Sequence, residues 1–475
     1  MIIAIVIAYF VALYLISIFT SKHSGNDTFF NAKRQSPWYM VAFGMIGASI
    51  SGISFVSVPG MVLNSQMTYM QTCLGFILGY AAVAFILLPL YYRLNLTSIY
   101  TFLGQRLGSN SYLTGASFFI ISKLTGAALK FYVVCMILQE YVFTAYGIPF
   151  PVTILIMVAL IWLYTHRSGI RTLVFTDALQ TACMLAALVL ISINVMSALN
   201  MSCSQAIDAI SQSSYSKMFV FDDWMSRQNF WKQFISGAFI VIVMTGLDQD
   251  MMQKNLTCRS LREAQIDMCS YGLAFVPVNL LFLSLGVLLT MLCTKQGLPL
   301  PESADSLLSM FAAKGLLGTP ALCLFILGIV AASFSSADSA LTSLTTSYCI
   351  DIKRKPDDVK LRRHTHIAMC FAFVGFILLF RYVNSTSLID AIYTIVSYTY
   401  GPLLGLFAFG ILTRRQPTDK VSPYIAVASP IICYAANSLT KTYCGYEFGY
   451  ELLLLNGALT FAGLYLFSSK DNSAK

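Results

Sequence analysis

The sequence predicts an all-α polytopic membrane protein of about thirteen transmembrane helices, and three observations carry that reading. Hydrophobic residues make up 57% of the chain and charged residues 11%, whereas a soluble domain carries about 25% charged residues. So few charges do not clothe a water-facing surface. Thirteen apolar stretches follow one another, most near the length of about twenty residues that a bilayer demands. The loops between them alternate between basic and nearly bare, as consecutive crossings require.

In order, the expected spans are 2–20, 37–64, 69–95, 115–146, 151–166, 173–195, 230–250, 266–294, 318–349, 364–383, 388–413, 421–440 and 449–469. The first has no positive residues before it, and Lys22, Lys33 and Arg34 follow it. It also outruns the apolar region of a signal peptide. It therefore reads as a retained helix with its N-terminus outside.

The next cytoplasmic loops hold Arg93 and Arg106, then Arg167 and Arg171, then Lys254, Arg259 and Arg262. Lys353, Arg354, Lys355, Lys360, Arg362 and Arg363 follow, then Arg414, Arg415 and Lys420, and a tail with Lys470 and Lys475. Outer gaps hold no basic residue at 64–68 or 147–149, and only Lys217 and Arg227 in 196–229. One missed span would invert every later loop, so the regularity supports the count and sets the C-terminus in the cytoplasm.

The net charge of +9 reads as membrane topology rather than affinity for nucleic acid. Twelve cysteines form no CxxC pair, and most, such as Cys135, Cys183, Cys293 and Cys323, sit inside apolar spans. That argues against a disulfide framework or a zinc site and for packing. Mean hydropathy is +0.71, and no stretch is left for a soluble catalytic or signalling domain. The two longer outer loops, 196–229 and 295–317, have room for short helices, as lids or as passive surface.

Polar residues inside hydrocarbon are costly and usually functional. In the second span Gly44, Gly47 and Gly52 alternate with Ser49, Ser51 and Ser54. Glycine weakens a helix and serine competes for its backbone bonds. A break here would free carbonyls for a cation; the alternative is a small-residue packing face. In the ninth span Ser335, Ser336, Asp338, Ser339 and Thr342 gather hard oxygens within about two turns, with Ser335, Ser339 and Thr342 on one face. Asp177, near the start of the sixth span, is either a snorkelling end residue or a buried counter-charge.

Lys123 and Lys130, seven residues apart in the fourth span, share a helical face. Lys130 lies near the span's middle, roughly 20 Å from either end, beyond easy snorkelling. Such a lysine lines a cavity and meets an anion, or pairs with a carboxylate such as Asp177. Oxygens for an alkali cation and an ammonium for an organic anion point to ion-coupled transport. No Walker A, redox or HExxH motif is present, so no enzyme is expected and an ion gradient remains as the driving force.

At these residues the chain resembles the sodium:solute symporter family over nearly its whole length. The run from Leu88 to Tyr100 followed by Gly104, Gln105 and Arg106 is similar to the family's, as are Thr176 to Gln180, Asp248 to Gln253 and Ser335 to Ser339. The resemblance implies a LeuT-type fold, in which ten core helices form two inverted five-helix repeats. The division would be residues 1–36 as an extra helix and loop, 37–415 as the core, and 416–475 as two further helices and a tail.

It also implies a sodium site of the Gly47, Ile50 and Ala332 carbonyls with the Ser335 and Ser336 hydroxyls. A second cation would rest on Asp177, Ser335 and Ser339, with Asp338 where the sialic acid symporters carry serine. Solute contacts would come from Ser49, Ser51 and Ser54 at the break, from Tyr69, Gln71 and Thr72, from Lys130 and from Met244. Lys130 falls about where sialic acid symporters place an arginine. Ser54 and Met244 replace the glutamine and the aromatic gate of the sugar symporters, which speaks against a galactose-like site.

The expectation is thus sodium-coupled symport of a small organic solute, an anion such as a sugar acid or monocarboxylate, by a monomer in the plasma membrane. The rivals are a sodium- or proton-coupled carrier of a neutral sugar or amino acid and, from another class, a channel or membrane sensor.

Overall fold

A computed structural model of the chain describes residues 2–20, 25–166, 169–313, 318–383 and 388–469. The basic residues Lys22, Arg167, Lys470 and Lys475 named above lie outside these. Nearly all of the described chain is helical. The principal helices are α1 (Ile2–Thr20), α2 (Trp38–Ser49), α3 (Gly52–Gly60), α4 (Tyr69–Ala82), α5 (Ser109–Leu138), α6 (Phe150–Thr165), α7 (Ile170–Leu199) and α8 (Phe230–Val241). They continue as α9 (Gln249–Asn255), α10 (Leu261–Lys295), α11 (Gly318–Ser347), α12 (Val359–Val383), α13 (Leu388–Thr399), α14 (Gly401–Leu412), α15 (Ser422–Cys444) and α16 (Leu452–Leu466).

Among the described residues seven helices are long and apolar enough to cross a membrane, nine when each of two bent pairs is one crossing. The other four expected spans are helical too: α6, α13 with α14, α15, and α16. Each is shorter or more polar than a lone crossing requires. A short antiparallel pairing of Gln416–Pro417 with Ser468–Ser469 ties the two ends of the C-terminal helix pair together, and Ser36 and Cys258 form an isolated bridge.

The bent pairs organise the bundle. α2 and α3 meet at 59° across Ile50 and Ser51, and the helix begun by α8 meets α9 at 70°. These are the second and seventh expected spans, in corresponding places of two successive sets of five. α2 and α3 pack against α7, α10 and α11. α8 lies on α4, while α9 reaches α2 and α11. α1 rests outside, on α6, α7 and α11.

The first break has a local cause. Ile50 (φ −83°, ψ 98°) and Ser51 (φ −86°, ψ 172°) are extended and end the helix after Ser49. Both readings of the glycines hold here, since they admit close neighbours as well as a break. A Cβ on Gly47 would collide with the Thr181 hydroxyl of α7, and one on Gly52 with the Ser333 hydroxyl of α11.

The two long loops expected on the outer side, 196–229 and 295–317, carry short helices, Cys203–Gln212 and Leu307–Ala313. The first loop is bound to the start of α4, with the Val220 N–H donating to Gln71 (3.0 Å). The second presses the Ala304 backbone onto Gly60 at the end of α3.

Candidate functional site

The end of α2 supplies the first component. An interrupted helix leaves the carbonyls of its last turn without amide partners. One of them, Ala48 O, takes the Ser336 hydroxyl at 3.0 Å, and the same hydroxyl bonds Ala332 O at 3.3 Å. Ser335, one residue earlier on α11, donates to Asp177 Oδ1 of α7 at 2.7 Å. The Cβ of Asp177 lies against Gly44 of α2, 2.9 Å from where a glycine-to-alanine change would set a methyl. Gly47 and Ile50 at the end of α2 and Ala332, Ser335 and Ser336 of α11 are all buried, on two segments packed against each other.

Asp177 is a buried counter-charge rather than a snorkelling end residue: it is 1% exposed. Its partner is not Lys130. Lys254 Nζ stands 2.7 Å from Asp177 Oδ2, both side chains almost wholly enclosed. The sequence places Lys254 among the loop charges, and the structure corrects this. The 70° bend turns α9 back into the bundle and carries Lys254 with it. Asp338 is equally buried, its carboxylate accepting from Tyr164 Oη (2.7 Å) and Ser339 Oγ (3.3 Å).

A cavity opens beside the end of α2 and α11. It is lined by Ala48 and Ser49 at the break, Phe76 and Tyr80 of α4, Lys123 and Lys130 of α5, and Met244, Thr245, Asp248 and Asp250 around the second break. Tyr271 and Phe275 of α10, Ser336 of α11 and Tyr400 close it. A polar chain runs along one wall, where Tyr80 Oη donates to Tyr271 Oη (2.7 Å) and Tyr271 meets the Ser49 hydroxyl.

The two lysines of α5 part company here. Lys123 Nζ is held by Asp248 Oδ2 at 3.1 Å and Asp250 Oδ2 at 2.6 Å. Asp248 also caps α9, accepting from the Asp250 N–H (2.8 Å), and takes the Tyr400 hydroxyl at 2.7 Å. Lys130 lines the same cavity and has no carboxylate within ion-pair distance among the described residues. Its ammonium is left to whatever enters.

Of the other solute contacts expected, Ser49 and Met244 line the cavity, but Ser51, Ser54, Tyr69, Gln71 and Thr72 do not. Gln71 and Thr72 are committed to the 196–229 loop and α8. Gln71 donates to Gln228 O (2.9 Å), and Thr72 bonds Gln233. Tyr69 stacks edge-on against Phe76. The cavity's Tyr80, Tyr271, Tyr400 and paired Asp248 and Asp250 were not singled out from the sequence as solute contacts. Only the Asp248-to-Gln253 motif hinted at the last two.

The sequence pattern of the sodium:solute symporter family matches residues 29–419. The sodium/sialic acid symporter NanT of Aliivibrio fischeri is 23% identical over 480 aligned residues, covering 95% of this chain and 91% of that protein. The sodium/sialic acid symporter SiaT of Proteus mirabilis is 23% identical, over 87% of this chain and 84% of its own length. A solved outward-open, substrate-bound Na⁺-coupled sialic acid symporter superposes with a TM-score of 0.83 at 21% identity, covering 98% and 97% of the two chains. The LeuT-type plan expected from the sequence is the fold of this chain.

Proposed function

The chain belongs to the sodium:solute symporter family, and we propose that it uses the sodium gradient to take up a small organic anion, a sugar acid or monocarboxylate. One observation carries the anion: Lys130 lines the cavity wall with no carboxylate partner among the described residues, while its neighbour Lys123 is neutralised by two aspartates. A half-buried ammonium without a partner in a cavity wall is costly, and a carboxylate on the solute removes that cost. The relatives named for sialic acid, itself a sugar acid, support the class.

In this reading sodium binds the Gly47, Ile50 and Ala332 carbonyls and the Ser335 and Ser336 hydroxyls. It bridges the α2–α3 break to α11 and favours the outward-open state. Solute on Lys130, Ser49 and the Tyr271 chain then favours closure, and each ligand shifts the equilibrium by its differential affinity for the two states. The core would be residues 37–415, acting as a monomer in the plasma membrane with its N-terminus outside and its C-terminus in the cytoplasm.

The test is uptake into proteoliposomes across sugar acids, monocarboxylates, neutral sugars and amino acids, with and without a sodium gradient. Sodium-driven accumulation of an acid is expected. Uptake that ignores sodium and collapses with the pH gradient overturns the coupling, and preference for a neutral sugar overturns the anion.

A further inference from the structure

The second cation position already holds a charge. Asp177 of α7 and Asp338 of α11 are the carboxylates of that expected position, with Ser335 before and Ser339 after Asp338 on α11. Each Asp177 oxygen is engaged, Oδ1 by the Ser335 hydroxyl at 2.7 Å and Oδ2 by the Lys254 ammonium at 2.7 Å. Asp338 offers its oxygens to Tyr164 and Ser339. Lys254 and Asp177 are 2% and 1% exposed, so water screens their attraction little, and the repulsion of any further cation is equally unscreened.

The ammonium is also held in place. Lys254 is the penultimate residue of α9. Its carbonyl accepts the Thr257 hydroxyl at 2.7 Å. Gln253 beside it donates to Phe30 O (2.7 Å) and Thr346 Oγ1 (3.0 Å), fixing α9 to α11 and to the N-terminal region. An alkali ion on Asp177 would have to displace this anchored ammonium or sit against it. Hard oxygens are present there, but the charge they attract is already covalently part of the chain.

We infer that the Lys254 ammonium stands where a second sodium would bind, as a resident cation, so that the transporter carries one sodium ion per solute. This rests on the reading of the main sodium site above. Lys254 then acts as a positioning residue. It bridges α7 to α9, the second half of the second broken helix, while the exchangeable ion bridges α2–α3 to α11.

Equilibrium binding of radiolabelled sodium to the purified full-length protein in detergent tests this without knowledge of the solute, with choline holding ionic strength constant. One site per chain is expected in the wild type, weakened about 10-fold in Ser336→Ala and kept at wild-type affinity in Asp177→Asn. Two wild-type sites overturn the inference, as does a single site whose affinity is unchanged in Ser336→Ala and that disappears in Asp177→Asn. No wild-type binding removes the sodium reading itself, together with the inference that rests on it. Lys254→Gln, scored if it elutes as a monodisperse species, is expected to gain a second site. Retention of one site makes the lysine a structural pair only and overturns its role as a stand-in ion. If that variant does not fold, the wild-type count and the two other variants decide.

Discussion

Ser336 donates to the carbonyl of Ala48 at 3.0 Å, across the gap between α11 and the broken end of α2, and both residues also line the solute cavity. In the proposed arrangement the wall between ion layer and solute space is one residue thick. Binding on either side acts on the same hydrogen bond, a direct physical route for coupling.

Ser336→Ala is accordingly expected to raise the sodium concentration for half-maximal uptake about 10-fold, near 1.4 kcal/mol, and to weaken solute binding measured at subsaturating sodium. Uptake titrated against sodium checks it. An unchanged sodium curve would remove Ser336 from the ion site.

The two lysines of α5 make opposite predictions. Lys130→Met should lower affinity for an acid solute about 10- to 100-fold, the ~1.5–3 kcal/mol of a charged hydrogen bond, with thermal stability kept. Lys123→Met strands Asp248 and Asp250 in the interior, where breaking such a pair costs about 3–5 kcal/mol. Its melting temperature in detergent should fall. Equal loss of stability in both variants would mean that Lys130 is structural.

Gly47→Ala places a methyl against the Thr181 hydroxyl, with Thr181 Cβ 3.1 Å away. Overpacking of this kind costs about 1–3 kcal/mol, here at the break itself, so sodium binding and melting temperature should both fall. Adding Thr181→Ala removes the colliding oxygen and should restore part of each. A double variant no better than the single would place the damage elsewhere.

Tyr271→Phe cuts the chain from Tyr80 through Tyr271 to Ser49 and leaves the ion layer untouched. The solute KM should rise about 2- to 10-fold, the ~0.5–1.5 kcal/mol of one neutral hydrogen bond. The sodium dependence measured at saturating solute should stay where it was. A shift in the sodium curve alone would contradict the assignment of this wall to the solute.

Much of this was legible in the chain because it is written locally. Gly44, Gly47 and Gly52 among serines mark a helix that ends inside the membrane, and Ser335 to Ser339 mark its hydroxylated neighbour. Lys254 was not legible. It follows an apolar stretch and precedes Arg259 and Arg262, as a cytoplasmic loop charge does, and only the 70° turn at Leu247 and Asp248 sends it inward. The split between Lys123 and Lys130 was hidden for a related reason. The sequence places both on one face, but which of them meets carboxylates depends on where α9 lies. Gln71 and Thr72 misled because their partners, Gln228 and Gln233, stand about 160 positions later and seal an outer loop.

The cavity's two sides differ in what they tolerate. Ala48 and Ser336 are shared with the proposed ion layer, so any reshaping there alters the fuel requirement along with the cargo. Met244, Phe76 and Phe275 face the same space and belong to no hydrogen-bonded network described here, and a methionine side chain adapts readily to a changed neighbour. Attempts to retune this carrier toward a different acid should begin on that far wall, where selectivity can drift while the energy source stays fixed.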